Sequence, residues 1–140
     1  MTEPTGDYDI NQRRPRERNS EYAGWIAGLP CVACMCEGKV VRGVHVSHVR
    51  APSAAHGKRE TGKAEKPSDQ PWTCPLCPPH HLNGGRKSQH HYPGGEEKFW
   101  TDKGINVFDL CLALSDAYPN TSAGMAVIAR FAAEGRRSRT

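Results

Sequence analysis

Pro75-Leu76-Cys77-Pro78-Pro79-His80-His81 sets one thiol and two imidazoles close together, directly after a short apolar run. Thiolate and imidazole are the donors that tetrahedral zinc prefers, and prolines suit the first turn of a helix because its leading N–H groups have no internal partner. Upstream, Leu29-Pro30-Cys31-Val32-Ala33-Cys34 supplies a CxxC knuckle. Two half-sites separated by a hairpin-sized excursion read as one four-ligand structural zinc site, fastening an N-terminal helix to a His-bearing helix. The plain alternative is that these cysteines are ordinary small buried residues, which a lone CxxC would leave open. The second half-site pairs Cys77 with His80 or His81. Cys74 forms another CxxC with Cys77, so Cys31/Cys34/Cys74/Cys77 rivals Cys31/Cys34/Cys77/His80; we favour His80 because Cys74 falls inside an expected strand. Cys36 adjoins Cys34 in a Cys-Met-Cys run, and Cys111 lies on an apolar helix face and reads as core.

The surrounding composition suits a small cross-linked domain. With 140 residues the chain has room for one modest core, and 14 Gly and 11 Pro break up long helices. No apolar run approaches the roughly 20 residues needed to span a bilayer. The first residues carry Glu3, Asp7 and Asp9 and no apolar stretch, which argues against a secretory signal and for a reducing cytoplasm, where thiols stay available to metals. The net charge of +4 permits nucleic-acid binding without demanding it. The excess sits in the middle: residues 37–70 carry seven Lys/Arg against four Asp/Glu.

Residues 1–19 read as a flexible arm, with Arg13, Arg14, Arg16 and Arg18 around Pro15. Ser20 is the expected cap of a helix whose Tyr22, Trp25, Ile26 and Leu29 form one buried stripe before Pro30. The Val-rich run Lys39 to Val49 predicts a hairpin with a turn or bulge at Gly43. Residues 50–70 lack periodicity and read as a long basic loop. A strand follows over Trp72 to Leu76, then a His-bearing helix broken by Asn83-Gly84-Gly85. Three helices complete the chain. Glu96 to Asp102 is anchored by Phe99 and Trp100 and stopped at Gly104; the next is capped by Asn106 with Val107, Leu110, Cys111 and Leu114 inward; the last runs from about Ser122 to Ala133 with Met125, Ile128, Ala129 and Ala132 inward.

One zinc does not absorb seven histidines. Imidazole both binds divalent cations and abstracts protons near neutral pH, so His45, His48, His81, His90 and His91 make a second, catalytic site a reasonable expectation. His56 and His91 read as solvated loop residues.

Taken in order, the Cys31/Cys34 knuckle, Val46-Ser47-His48-Val49-Arg50, Pro75 to His81, Gln89-His90 and Gly95-Glu96-Glu97-Lys98-Phe99-Trp100 resemble a known family. They are similar to the small HNH nucleases of phages and prophages, also called ββα-metal or His-Me finger nucleases, and within these to the recombination enhancement function (Ref) nuclease. The resemblance covers about Tyr22 to Gly104. It implies an α+β fold in which a small zinc-fastened ββα-metal (HNH) core is flanked by short helices. The expected organisation is an N-terminal arm (1–19), an HNH-like domain with structural zinc (20–104) and C-terminal helices with a basic tail packing on the core (105–140).

By the same resemblance, His48 is the general base, His81 binds a catalytic Mg2+ or other divalent cation with His90 as a further ligand, and Cys31, Cys34, Cys77 and His80 hold the structural Zn2+. The implied reaction is hydrolysis of DNA phosphodiesters, leaving 5′-phosphate and 3′-hydroxyl ends, in phage recombination, repair or packaging. The implied setting is the cytoplasm of a bacterial host, with DNA as partner, a recombinase or other recombination protein as a further candidate, and no membrane. Arg50, Lys58, Arg59, Lys63, Lys66, Arg86 and Lys87 are the candidate DNA contacts, Arg50 first because it is two residues from the base. The chain departs from the family pattern at three points, the first being that Asn83-Gly84-Gly85 stretches the usual compact spacing between the two helix His residues, here His81 and His90. Ser47 stands where a His or Asp ligand is usual, with His45 or Asp69 as candidate substitutes, and the middle Asn would fall near Trp72 or Thr73. These departures define the rival expectation, a catalytically inactive zinc-binding DNA-binding or adaptor module of the same fold. A third reading is a structural zinc protein that binds other proteins through the helices of Val107 to Phe131, with no affinity for DNA.

Overall fold

The computed structural model describes residues 18–61 and 67–138, and the fold is mixed α+β. The expected arm up to residue 17, and Lys63 and Lys66, lie outside the described residues. Helix α1 (Ser20–Ala27) is capped by Asn19, not Ser20: the Asn19 side chain accepts from the Tyr22 N–H at 3.0 Å, and Ser20 is already in the first turn. Tyr22, Ile26 and Leu29 are buried as the stripe predicts, while Trp25 is half-buried. Helix α2 (Val32–Cys36) has Cys31 as N-cap, its sulfur accepting from Cys34 N–H at 3.3 Å.

Lys39 to Val49 does not form a hairpin on itself. Only β1 (His45–His48) is a strand, and its partner is β2 (Thr73–Leu76), antiparallel and in the register His45↔Leu76, Ser47↔Cys74, His48↔Thr73. Gly43, at φ 79°, lies in the approach to β1. The long loop between the strands is tied down. A 3-10 turn (Ala54–His56) hangs on His56, whose Nδ1 meets Ser53 Oγ at 2.7 Å and whose Nε2 meets Asp109 Oδ1 at 2.8 Å, with the ring stacked on Phe108. His56 is thus a staple between loop and helix, contrary to the solvated residue expected. Lys58 also departs from expectation. It is buried, and its ammonium donates to Ala51 O at 2.8 Å and Arg59 O at 3.3 Å, so it holds the loop closed instead of facing a DNA backbone.

After β2, Pro79–Asn83 forms a π-helical turn in place of the expected α-helix start, followed by 3-10 turns at Gly85–Lys87 and Gln89–His91. Helices α3 (Glu96–Asp102), α4 (Val107–Ala117) and α5 (Thr121–Ser138) follow. Asn106 caps α4 as expected, accepting from the N–H groups of Phe108 and Asp109. The core joins Tyr22, Ile26 and Leu29 to Phe99, Trp100, Leu110, Leu114, Ile128 and Phe131. Each such buried side chain contributes about 1.5–3 kcal/mol.

Helix α5 outruns its predicted end by five residues and packs on α2 and α4. Its inward stripe runs through Gly124, Ile128, Phe131, Ala132 and Gly135, leaving Ala129 outside. Glycine recurs there because of close approach: a Cβ on Gly124 would sit 2.7 Å from the Trp25 ring, and one on Gly135 would run into the backbone carbonyl of Lys103. Among the described residues no helix is long and apolar enough to cross a membrane.

Candidate metal centre and histidine cleft

Knuckle and turn bring Cys31, Cys34, Cys77 and His80 together, all buried, with their ligand atoms within 4.8 Å of one another. Cys34 Sγ lies 3.5 Å from Cys77 Sγ, and His80 Nδ1 lies 3.2, 3.5 and 3.8 Å from the sulfurs of Cys77, Cys34 and Cys31. Zinc bond lengths of about 2.3 Å to sulfur and 2.0–2.1 Å to nitrogen require S···S of about 3.8 Å and S···N of about 3.6 Å at tetrahedral angles. The four donors therefore have the spacing and chemistry of a Cys3His site that can hold a structural metal ion such as zinc. Burial pushes the Cys31 and Cys34 thiols up, with neighbouring sulfurs adding to it at Cys34. A divalent cation between them reverses that preference and favours thiolate.

The rival set fails on position. Cys74 is fully buried in β2 beside Cys111, and neither it nor Cys36 belongs to the cluster. Cys111 is core as expected, its thiol donating to Thr73 O. One residue outside the motifs completes the centre. Glu37 Oε2 lies 3.0 Å from His80 Nε2, so the carboxylate fixes the proton on Nε2 and turns the Nδ1 lone pair toward the sulfurs. Burial lowers the His80 pKa while Glu37 opposes it.

Successive side chains of a strand alternate in direction, so His45 and Ser47 share one face of β1 and His48 takes the other. His48 Nε2 meets Asp69 Oδ1 at 2.8 Å, and both side chains are about nine-tenths buried. Asp69 is itself held: its Oδ2 accepts from Asn19 N–H at 2.7 Å and its carbonyl from Thr73 Oγ1 at 2.7 Å. On the opposite face Ser47 is buried and accepts from Gln89 Nε2 at 2.8 Å; Gln89 Oε1 in turn accepts from Trp100 Nε1. His45 Nδ1 lies 3.0 Å from His81 Nδ1. His81 is held neutral at ordinary pH, its pKa pushed down to about 4 by burial first and then by charge on His45, His90, His48 and Arg50.

His81 thus has His45 as its direct partner, with His90 and His48 close enough to be felt electrostatically. His90 is exposed, its ring set edge-on against His91. Among the described residues the Cys3His cluster is the one group of three or more His, Cys, Asp or Glu donors so gathered.

A cleft of about 500 Å³ is lined by Arg50, Gln89, His90, His91 and Glu96. Glu96 is built in: its carboxylate accepts from the Arg50 N–H at 3.1 Å and the Ala51 N–H at 2.8 Å, clamping the chain as it leaves β1. Burial raises its pKa, while those two N–H groups work against the rise. The buried Nε of Arg50 has no hydrogen-bond partner among the described residues. Arg59, Arg86 and Lys87 are exposed, the last two on the 3-10 turn between His81 and His90. Glu37 lies outside every motif, and Glu96 lies inside the Gly95 to Trp100 motif without any signal of its role, because each acts through a partner more than 40 residues away.

A scan against protein-family models, a search of curated proteins and a search of solved structures each give no match.

Proposed function

We propose that this chain is a metal-dependent endonuclease that hydrolyses DNA phosphodiester bonds, built on a zinc-fastened ββα core of HNH type. The reading is carried by the His48–Asp69 pair at 2.8 Å. A carboxylate on Nε2 keeps the proton there and leaves the lone pair on Nδ1, which is what a general base toward water requires. Asp69 then takes the orienting role that an Asn has in the resembling family. His48 accepts the proton of the attacking water, and Arg50, which lines the cleft two residues on, draws the phosphate by its charge. His81, neutral at ordinary pH, is the cation ligand, with His90 as a further candidate. A bound divalent cation supplies charge stabilisation of the phosphate and the departing oxygen. Exposed Arg59, Arg86 and Lys87 add sequence-independent attraction for the DNA backbone. Recombination, repair or packaging in a phage-infected cell is the setting we propose, with a recombinase as candidate partner.

One observation favours a second reading, a DNA-binding or adaptor module without catalysis. Ser47, at the position of a usual ligand, is buried and bonded to Gln89. The deciding experiment is nicking of supercoiled plasmid at low salt, with Mg2+, Mn2+ or no added divalent ion, by zinc-loaded wild type and His48→Ala, both checked for folding. Metal-dependent nicking lost in the variant supports the nuclease. Folded wild type that binds DNA but cuts neither duplex, single-stranded nor branched substrates supports the module.

A further inference from the structure

His56 does more than tie the loop to α4. Its Nδ1 lies 2.7 Å from Ser53 Oγ and its Nε2 2.8 Å from Asp109 Oδ1, which lines up a hydroxyl, an imidazole and a carboxylate. An activated nucleophile has this arrangement: a hydroxyl within hydrogen-bond reach of a base, and the base oriented by a third group. A carboxylate only accepts, so Asp109 keeps a proton on Nε2 and the neutral ring offers its Nδ1 lone pair to the Ser53 hydroxyl. Each part is fixed separately. Ser53 N–H donates to Lys58 O, and Ser53 O accepts from the N–H groups of His56 and Lys58. The His56 ring stacks on Phe108 and its side chain is 16% exposed. Asp109 stands in the first turn of α4, its N–H held by Asn106 Oδ1. A staple between loop and helix needs only the ring stack and the contact with Asp109; it does not explain a half-buried hydroxyl on the remaining nitrogen.

A cavity of about 290 Å³ borders this group through Pro52, which precedes Ser53, and through Phe108, which carries the His56 ring. Trp100, Ile105 and Val107 make its wall apolar, while Glu96 and Glu97 give it negative charge. Its size is at the lower limit of small-molecule sites, roughly 300–1,000 Å³. We propose that Ser53, His56 and Asp109 form a second, nucleophilic site that takes acyl groups from esters of short, uncharged carboxylic acids. Ser53 Oγ bonds to the ester carbonyl carbon as its proton passes to His56 Nδ1; the bond from that carbon to the alcohol oxygen then breaks, and the alcohol leaves with the proton. Water, deprotonated by the same Nδ1, then releases the acid and restores the Ser53 hydroxyl. Asp109 touches no substrate and is a positioning residue acting through His56. The apolar wall receives the acyl chain, and the two carboxylates turn away anionic ones. Neither the Cys3His cluster nor the histidine cleft supplies a group to these steps, so the site stands or falls apart from the nuclease reading.

The test is labelling of zinc-loaded protein with an alkyl fluorophosphonate, read by mass spectrometry, beside turnover of p-nitrophenyl hexanoate and of the p-nitrophenyl monoester of adipic acid. Wild type should take a single adduct, at Ser53, and turn over the hexanoate faster than the anionic ester. Ser53→Ala should lose adduct and turnover while plasmid nicking is unchanged. His56→Gln should slow labelling and turnover at least about a hundredfold, the lower end of what a general base contributes. Asp109→Ala should slow them at least about tenfold, short of the roughly 10,000-fold known for a buried triad carboxylate because Asp109 is more than half exposed. Asp109→Glu should recover part of that loss, which a purely structural role would not produce in a labelling rate. That exposure also lets the Asp109 variants carry the test if His56→Gln fails to fold. No adduct on folded wild type, an adduct elsewhere than Ser53, turnover that persists in Ser53→Ala, labelling as fast in folded Asp109→Ala as in wild type, or preference for the anionic ester each overturns the proposal. An adduct at Ser53 in a protein that never nicks DNA would leave this site standing and remove the nuclease; nicking by a protein that takes no adduct would do the reverse.

Discussion

Glu37→Ala is the most quantitative test of the metal centre, because it removes no ligand. The carboxylate lies 3.0 Å from His80 Nε2 and is nearly half exposed, so its loss leaves little cavity and all four donors in place. What disappears is the acceptor that keeps the His80 proton on Nε2 and the lone pair on Nδ1, the atom 3.2 to 3.8 Å from three sulfurs. Losing such a partner typically costs about 10–100-fold in metal affinity. Each tenfold is about 1.4 kcal/mol, and a metal that binds only the folded chain passes that loss on to stability. With free zinc buffered well above both dissociation constants, urea unfolding should show the variant less stable by about 1.4–2.8 kcal/mol. The gap should close as buffered zinc falls below both constants. The other interaction of this carboxylate, with exposed Lys39 at 3.9 Å, is too weak to account for such a gap, since exposed pairs contribute about 0–1 kcal/mol. A chelator-competition affinity within twofold of wild type, or a stability gap that persists at vanishing zinc, would refute the reasoning.

Asp69→Asn should cut nicking at least about a hundredfold by releasing the His48 tautomer, with DNA binding by fluorescence anisotropy unchanged; full activity would remove Asp69 from the mechanism. The His81 pKa is depressed from 6.5 to about 4, so its contribution to stability is complete above pH 6.5 and is lost as pH falls through about 4. His81→Gln should therefore flatten the acid limb of a urea-midpoint profile, and an unchanged slope would count against this account. Gly135→Ala should destabilise by about 1–3 kcal/mol in thermal or urea melts, because its Cβ runs into the backbone carbonyl of Lys103. Arg50→Ala should weaken DNA binding and lower the slope of log affinity against log salt by about one phosphate contact; an unchanged slope would show that its guanidinium does not meet the backbone.

Where local chemistry decides conformation, the sequence was legible. Asn106 caps α4, the stripe Val107, Leu110, Cys111 and Leu114 is buried, and the paired knuckles that suggested a zinc ligand set do converge. The failures came where a distant partner decided. Valines from Lys39 to Val49 have strand propensity, but only four residues find a ladder, and their partner lies beyond a long loop rather than next in sequence. Lys58 reads as a solvent cation until the loop folds back and supplies two carbonyls for its ammonium. Ser20 and Asn19 are both good caps, and the structure uses the one whose own N–H is held by Asp69. The pairing of His45 with His81 depends on sheet register, which period-two patterning alone does not set.

The two halves of the Cys3His cluster are 43 residues apart between Cys34 and Cys77, and α5, which covers α2, comes later still, with Arg136 donating to Met35 O. During synthesis at about 5–20 residues per second, the first knuckle waits about 2–9 s for its second half. Over that interval Cys31 and Cys34 are a bare dithiol on an unfolded nascent chain, open to oxidation. Zinc can close the centre only once His80 has been added, so yield in a heterologous host should depend on zinc supply and thiol redox state during translation, before the core has formed.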